Sequence, residues 1–329
     1  MISVEIPITR TPPEPLPDNL RSVQPGGGVC YRIELAWGRS RRWYLKHFRP
    51  GYVRRMAELR RGGAAGCPHE ILDPRDLKYC RNVCVCDWAR ENDPFRWREK
   101  IPFARWGLAE LQLMGYPLLA VVVLAACTRF WYLGSVPGIV LLLVVYFFRD
   151  PPRRVPGDAG CWVAPADGKV VEISQLEHDE FIGGPAVRIG IFLSIFNVHI
   201  NRSPARARVI RLRYSPGRFL NALNPESLLR NESLWIGLEE EDSPHRRMVV
   251  RQVAGLFARR IVCNLRPGEV VERGHKFGMI KLGSRTELVL PVEAGLHVPL
   301  SIGQRVKAGG TVVARYAGPQ ESAARSASA

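Results

Sequence analysis

Apolar and polar positions change texture twice along the chain. Residues 1–114 show no sustained period: basic and aromatic residues are interleaved and prolines interrupt them. Two stretches there read as helices, Arg54 to Arg61 and the amphipathic segment "PFRWREKIPFARWGLAELQLM", which carries Trp97 and Trp106. The second texture is unbroken. In "YPLLAVVVLAACTRFWYLGSVPGIVLLLVVYFFRDPPRRVP", the run Pro117–Ala126, extended to Leu133, and the run Val136–Phe148 flank Gly134-Ser135. No polar position alternates through Leu118–Ala126 or Ile139–Phe148, so residues 115–150 read as an apolar helical hairpin. A full membrane span takes about 20 apolar residues. The first run reaches seventeen only by including Arg129 and the second has thirteen, so a thin span or a dip into one leaflet is expected.

The third texture fills residues 151–329. Short strands alternate with turns in "CWVAPADGKVVEISQLE", "AVRIGIFLSIFNVHINR", "ARVIRLRY" and "RMVVRQVAGLFARRIVCNL". Val187, Ile189, Ile191 and Leu193 keep a period of two, Asp167-Gly168 reads as a hairpin-type turn, and only Asn221–Asn231 suggests a helix. The closing "HVPLSIGQRVKAGGTVVARY" resembles the half-barrel of lipoyl and biotinyl carrier domains, without their swinging lysine. The fold class expected is therefore a β-rich α+β domain with a carrier-like (lipoyl/biotinyl hybrid) half-barrel element, preceded by the apolar helical hairpin. One glycine breaks the strand pattern: in "HKFGMIKLGSRTELVLP", Gly283-Ser284 separates Met279–Leu282 from Leu288–Leu290. Glycine inside a strand marks a bulge or a close backbone approach.

Charge changes the picture of where this fold works. The chain carries 47 Lys+Arg against 31 Asp+Glu, a formal net charge of +16, and its densest basic stretch places nine Lys/Arg between Arg39 and Arg61. Such an excess calls for a polyanionic partner. A nucleic acid is set aside because no nucleic-acid fold is recognisable; an anionic phospholipid membrane suits the tryptophan-rich basic segments and the hairpin. Arg96, Arg98, Lys100 and Arg105 precede the hairpin, and Arg149, Arg153 and Arg154 follow it. By the positive-inside rule both ends face the cytoplasm, which implies a cytoplasmic-membrane protein whose β-rich domain faces inward. The first twenty residues hold acids and five prolines but no apolar segment of a secretory signal. Among eight cysteines, Cys80, Cys84 and Cys86 form C-x3-C-x-C, with Cys67 and His69 upstream. The second ligand pair usual for zinc is missing, so no metal is assigned and these residues read as reduced, partly buried thiols.

A serine after a strained glycine is a candidate for chemistry on its own peptide bond. If the Gly283 carbonyl is held bent and polarised, Ser284 Oγ can attack it, exchanging amide for ester. β-Elimination then leaves dehydroalanine, and hydrolysis leaves a pyruvoyl group at a new N-terminus. An absent Cβ at Gly283 lets the hydroxyl approach. The reaction needs a base, and His199 in "FLSIFNVHINRSP" is the best candidate, because Asp167 in "APADGKV" sits where a carboxylate can fix its tautomer. His47, His69, His178, His245, His275 and His297 have no comparable company. Arg202 offers a cation for phosphate or carboxylate but reads equally as a surface charge.

Six segments in order, "YFFRDPPRRVP", "VAPADGKV", "FLSIFNVHINRSP", "FLNALNPESLLRNE", "QVAGLFARRIV" and "GHKFGMIKLGSRTELVLP", together resemble the short form of phosphatidylserine decarboxylase, from about Tyr146 to Tyr316. The resemblance implies a self-processing enzyme cleaved between Gly283 and Ser284. It implies a large β chain to 283, a small α chain 284–329 that begins with pyruvoyl from Ser284, and Asp167 and His199 as processing partners. It also implies decarboxylation of phosphatidylserine to phosphatidylethanolamine through a Schiff base to that pyruvoyl group. The same chemistry on another serine lipid such as archaetidylserine, or a non-catalytic membrane-tethered carrier-like module, are the alternatives. A homo-oligomer is compatible with either. Two positions depart from the family: Phe196 stands where longer members have a second histidine, and Thr286-Glu287 where the short form tends to have valine and aspartate. The basic region 1–114 has no counterpart.

Overall fold

A computed structural model describes residues 10–220, 226–256, 260–281 and 283–316. The basic region opens with helices α1 (Val29–Phe48) and α2 (Pro50–Glu58), followed by β1 (Arg60–Arg61), the single turn α3 (Leu77–Cys80) and β2 (Asp87–Trp88). The helix expected from Arg54 thus ends at Glu58, and α1 was not anticipated. The amphipathic helix expected over residues 94–114 is formed only from Leu108 onward, where a longer helix begins; before it, Arg96–Glu99 and Arg105–Gly107 are separate 3-10 turns. Pro102 explains the break, since the residue before a proline is pushed out of the helical region. Two of the thiols expected to be reduced, Cys67 and Cys84, form a disulfide, because the loop after β1 folds back onto the segment before β2.

The hairpin is α4 (Leu108–Ala126) and α5 (Ser135–Phe147), joined through a 3-10 turn at Trp131–Gly134. α4 starts ahead of the expected boundary at 115 and runs through Pro117. Leu119, Val123, Leu124, Ile139, Leu142 and Leu143 all face outward. Both ends of the hairpin are stitched side by side: Ala104 N–H donates to the Phe148 carbonyl at 2.7 Å, and Asp150 N–H to that of Pro102 at 2.8 Å.

From Cys161 the chain is almost all β. First come β3 (Cys161–Val163), β4 (Gly168–Asp179), β5 (Gly184–Leu193), β6 (Ile200–Arg202) and β7 (Ala207–Ser215). After the short α6 (Ser227–Arg230) follow β8 (Ser233–Glu240), β9 (Arg247–Val253), β10 (Arg260–Cys263) and β11 (Val270–Val271). The last strands are β12 (Lys276–Lys281), β13 (Ser284–Pro291), β14 (Leu296–His297), β15 (Arg305–Val306) and β16 (Val312–Tyr316). Of the helix expected over Asn221–Asn231, residues 221–225 lie outside the described residues.

An eight-stranded sheet, in the order β11-β7-β8-β9-β13-β5-β4-β15, curls as a half-barrel around the main core. Two three-stranded sheets, β10-β12-β6 and β14-β16-β3, complete the domain. The alternating row Val187, Ile189, Ile191 and Leu193 is buried along β5 as its period requires, each side chain contributing about 1.5–3 kcal/mol. Asp167-Gly168 is not a hairpin turn, because β3 and β4 lie in different sheets. Gly168 is there for closeness instead: a Cβ would fall 2.2 Å from the Phe192 carbonyl oxygen on β5.

Candidate active site

Gly283-Ser284 marks a corner rather than a bulge. β12 ends in the small sheet at Lys281, and β13 starts in the large sheet at Ser284, opposite Leu193 of β5. Gly283 has φ of 60°, and a Cβ built on it would meet nothing within 4 Å. Glycine is therefore required for a left-handed torsion, which L side chains avoid, and not for space. Ser284 is fully buried, and its Oγ finds no hydrogen-bond partner among the described residues. An unpaired buried hydroxyl costs about 1–3 kcal/mol, so the fold holds this oxygen in an unfavourable state.

His199 stands immediately before β6, with its backbone carbonyl accepting from Ile280 N–H of β12 at 3.2 Å. Its Nδ1 lies 2.9 Å from the Asn197 carbonyl and its Nε2 3.2 Å from Gly283 N. A carbonyl accepts and an amide donates, so the proton sits on Nδ1 and the Nε2 lone pair faces the corner. The Phe147 ring, at the foot of α5, lies 4.4 Å from the imidazole. Burial pulls the His199 pKa down to about 4, outweighing the hydrogen bond to the Asn197 carbonyl, which raises it, and the Arg149 charge lowers it further. The imidazole is thus a free base throughout the neutral range.

That depressed pKa has a consequence for stability. The unfolded chain binds this proton near pH 6.5 and the folded chain only near 4, so the stabilisation is complete above pH 6.5 and falls away toward pH 4. At about 1.4 kcal/mol per unit, His199 withdraws up to about 3 kcal/mol over that window. Urea unfolding of the Ser284→Ala chain in detergent at pH 7 and pH 4.5 measures it, and adding His199→Gln should flatten the slope. An unchanged slope in that variant would contradict the buried neutral imidazole.

Asp167 does not sit on His199. One carboxylate oxygen pairs with Arg153 at 2.7 Å and the other accepts Ala308 N–H at 2.8 Å. The expectation that it fixes the imidazole tautomer is corrected: the Asn197 carbonyl holds Nδ1 instead. Arg202 is also committed, buried against Asp150 and the Gly274 carbonyl. Phe196 is exposed, and its carbonyl accepts from Arg149 at 2.8 Å.

Several contributors were not anticipated. Lys281 is buried and bonded to Glu110 of α4 and to Gln24, tying the strand before the corner to the hairpin. Beyond Ser284 on the same face of β13, Thr286 accepts from Asn201 Nδ2 at 3.0 Å, and Asn201 in turn accepts from Gln252 at 2.9 Å. On the opposite face Arg285 binds Glu172 and Glu287. In the sequence these groups show as polarity inside strands that otherwise read as core, and Thr286-Glu287 also as the departure from the family noted above.

Comparison with known proteins matches a family model described as phosphatidylserine decarboxylase to residues 140–314. A protein of Rhodopirellula baltica named phosphatidylserine decarboxylase proenzyme is 52% identical over 241 residues, 73% of this chain and 99% of its own length. Relatives with the same name are 45% identical over 54% of this chain in Chlorobium phaeobacteroides, and 39% identical over 67% in Carboxydothermus hydrogenoformans. The matches cover 81% and 100% of those two proteins.

Proposed function

This chain belongs to the phosphatidylserine decarboxylase family, and from that membership we propose a membrane-held enzyme that cleaves itself at Gly283-Ser284 with Ser284, His199 and Asp167. It decarboxylates phosphatidylserine in phospholipid synthesis. The observation that carries the site assignment is the unpaired, buried Ser284 hydroxyl directly after a left-handed glycine whose N–H rests on His199 Nε2.

Ser284 Oγ attacks the Gly283 carbonyl carbon as His199 Nε2, once released from Gly283 N–H, takes the hydroxyl proton, and the C–N bond breaks as the amine recovers a proton. The ester is then eliminated: the Cα proton leaves, the Gly283 carboxylate departs and dehydroalanine remains. Tautomerisation and addition of one water release ammonia and leave a pyruvoyl group at residue 284. Asp167 supports this through Arg153 and Ala308, by fixing the corner between β3 and β4.

Residue 284 fits such a group. It begins a strand paired to β5 on one side and, from Arg285 onward, to β9 on the other, so its backbone is held firmly. When formed, the α-keto amide supplies an electron sink for the pair left as CO2 departs. Ser284 is closed off in the uncleaved chain, and the break at the corner is what opens it to substrate.

The two helices are about 28 and 20 Å long at 1.5 Å per residue, against a hydrocarbon core of about 30 Å, so the hairpin spans thinly. Of the described helices, that comprising residues 105–126 is long and apolar enough to cross. An apolar groove of about 680 Å³ along α5, walled by Phe103, Ile139, Leu142, Leu143 and Phe196, takes an acyl chain with Arg149 at the rim for the phosphate. Both hairpin ends and the catalytic domain lie on the cytoplasmic side, where the +16 chain meets anionic lipid. The carrier-like reading of the end segment Leu296–Tyr316 is part of this proposal, supported by the antiparallel pairing of β14 with β16 and of β15 with β4.

A denaturing gel with intact masses tests the proposal. Two fragments are expected, 1–283 and 284–329, the smaller carrying a hydrazine-reactive ketone in place of an amine. A single polypeptide that still decarboxylates phosphatidylserine would overturn the pyruvoyl assignment.

A further inference from the structure

We infer that Cys67, Cys84 and Cys86 form a thiolate site for a soft divalent metal of the zinc class, which staples together the two arms of the basic N-terminal region that dock on the catalytic domain. Their three sulfurs lie within 4.8 Å of one another, and Cys84 Sγ is 3.1 Å from Cys86 Sγ. Around one zinc ion at about 2.3 Å, sulfurs sit about 3.8 Å apart, so the cluster needs only small side-chain adjustments to close on a metal. Cys84 and Cys86 are completely buried, and Cys67 packs against them with Cys80 and Trp88.

The backbone around the cluster is built to bring the two arms together. Gly62 and Gly66 both have left-handed torsions, φ of 74° and 76°. A Cβ at Gly66 would lie 1.9 Å from the Val83 carbonyl oxygen, and one at Gly62 2.7 Å from that of Val85. The arm carrying Cys67 thus lies flat on the arm carrying Cys84 and Cys86, at a distance that only glycine allows. Pairing of Arg60–Arg61 with Asp87–Trp88 closes the loop.

A staple is needed because this cluster holds few apolar groups: Met56, Leu72 and Trp88 are its only large buried side chains apart from the sulfurs. It also docks directly on the catalytic domain. Arg266 donates to the Cys84 carbonyl at 2.7 Å, and Arg81 donates to that of Asn264 at 2.9 Å and pairs with Glu269 at 2.8 Å. All three partners lie in the connection from β10 to β12, the strand that leads into Gly283.

Binding proceeds in the reduced chain: three thiols lose three protons, and one divalent ion takes their three sulfurs, leaving a net charge of −1. The fourth position is open to solvent or a neighbouring side chain. The Cys67–Cys84 disulfide is the metal-free counterpart, formed when those two thiols give two electrons and two protons to a disulfide oxidant.

The test is metal content of the full chain purified in detergent with a phosphine reductant and no chelator. About one zinc per chain is expected, falling below about a tenth in Cys84→Ser and in Cys86→Ser, while Cys161→Ser and Cys263→Ser keep it. Cobalt exchanged into the wild-type protein should give thiolate charge-transfer absorption that Cys86→Ser lacks. Cys86 lies outside the disulfide, so this variant separates a metal site from a plain cross-link. Wild-type protein that stays metal-free after incubation with zinc, or a Cys86→Ser protein that keeps its metal, would overturn the inference.

Discussion

Ser284→Ala is expected to remain one 329-residue polypeptide and to release no CO2 from phosphatidylserine. The hydroxyl is the attacking group and the oxygen that departs with the Gly283 carboxylate to leave dehydroalanine, so its loss leaves no slower route through the same chemistry. The fold should tolerate the change. Ser284 Oγ is buried without a partner among the described residues, and removing an unsatisfied polar atom is neutral or stabilising by about 1 kcal/mol. The expected pair of results is therefore specific: cleavage abolished, and a urea midpoint equal to or above that of the uncleaved wild-type chain. Cleavage of the alanine protein between residues 283 and 284, followed by intact mass, would remove Ser284 from the mechanism.

The second large effect is at His199. His199→Gln should slow self-cleavage by about 10²–10⁴, the usual contribution of a general base. Pulse-labelled precursor, followed on a gel, reads the rate directly. Because the imidazole pKa is about 4, wild-type cleavage should be flat from pH 8 to 5 and fall only below that, as the ring is protonated. Asp167→Asn supplies the contrast. Its carboxylate holds Arg153 and Ala308, so the amide should slow cleavage about tenfold or less while costing of order 3 kcal/mol for the broken buried pair. A cleavage defect at Asp167 as deep as that at His199, without lost stability, would restore a direct contact between the two.

The apolar hairpin and the strand row of β5 were legible because each depends on local periodicity. Eighteen or so neighbouring residues suffice to define a helix with no polar face, and four alternate residues to define a half-buried strand. The failures were also local in cause. The helix expected over residues 94–114 ignored how Pro102 displaces its neighbour, and α1 was hidden by charge on a helix with few buried positions, among them Glu34, Gly38 and Leu45. Asp167-Gly168 looked like a turn because aspartate-glycine usually is one, whereas the glycine serves a backbone contact with β5.

By itself the sequence determined the apolar hairpin ahead of a β-rich domain and the adjacent Gly283 and Ser284 at a break in the strand pattern, and it singled out His199 as the histidine proposed to serve them. Those are properties of residue type and order, and chemistry depends on them directly. Only the tertiary structure decided that the glycine is a corner between two sheets, that a backbone carbonyl and not Asp167 orients the imidazole, and that α4 and α5 reach the site through Lys281 and Phe147. Each of those is a contact between groups far apart in the chain, and long-range contacts depend on how strands are ordered in sheets, which residue spacing does not encode.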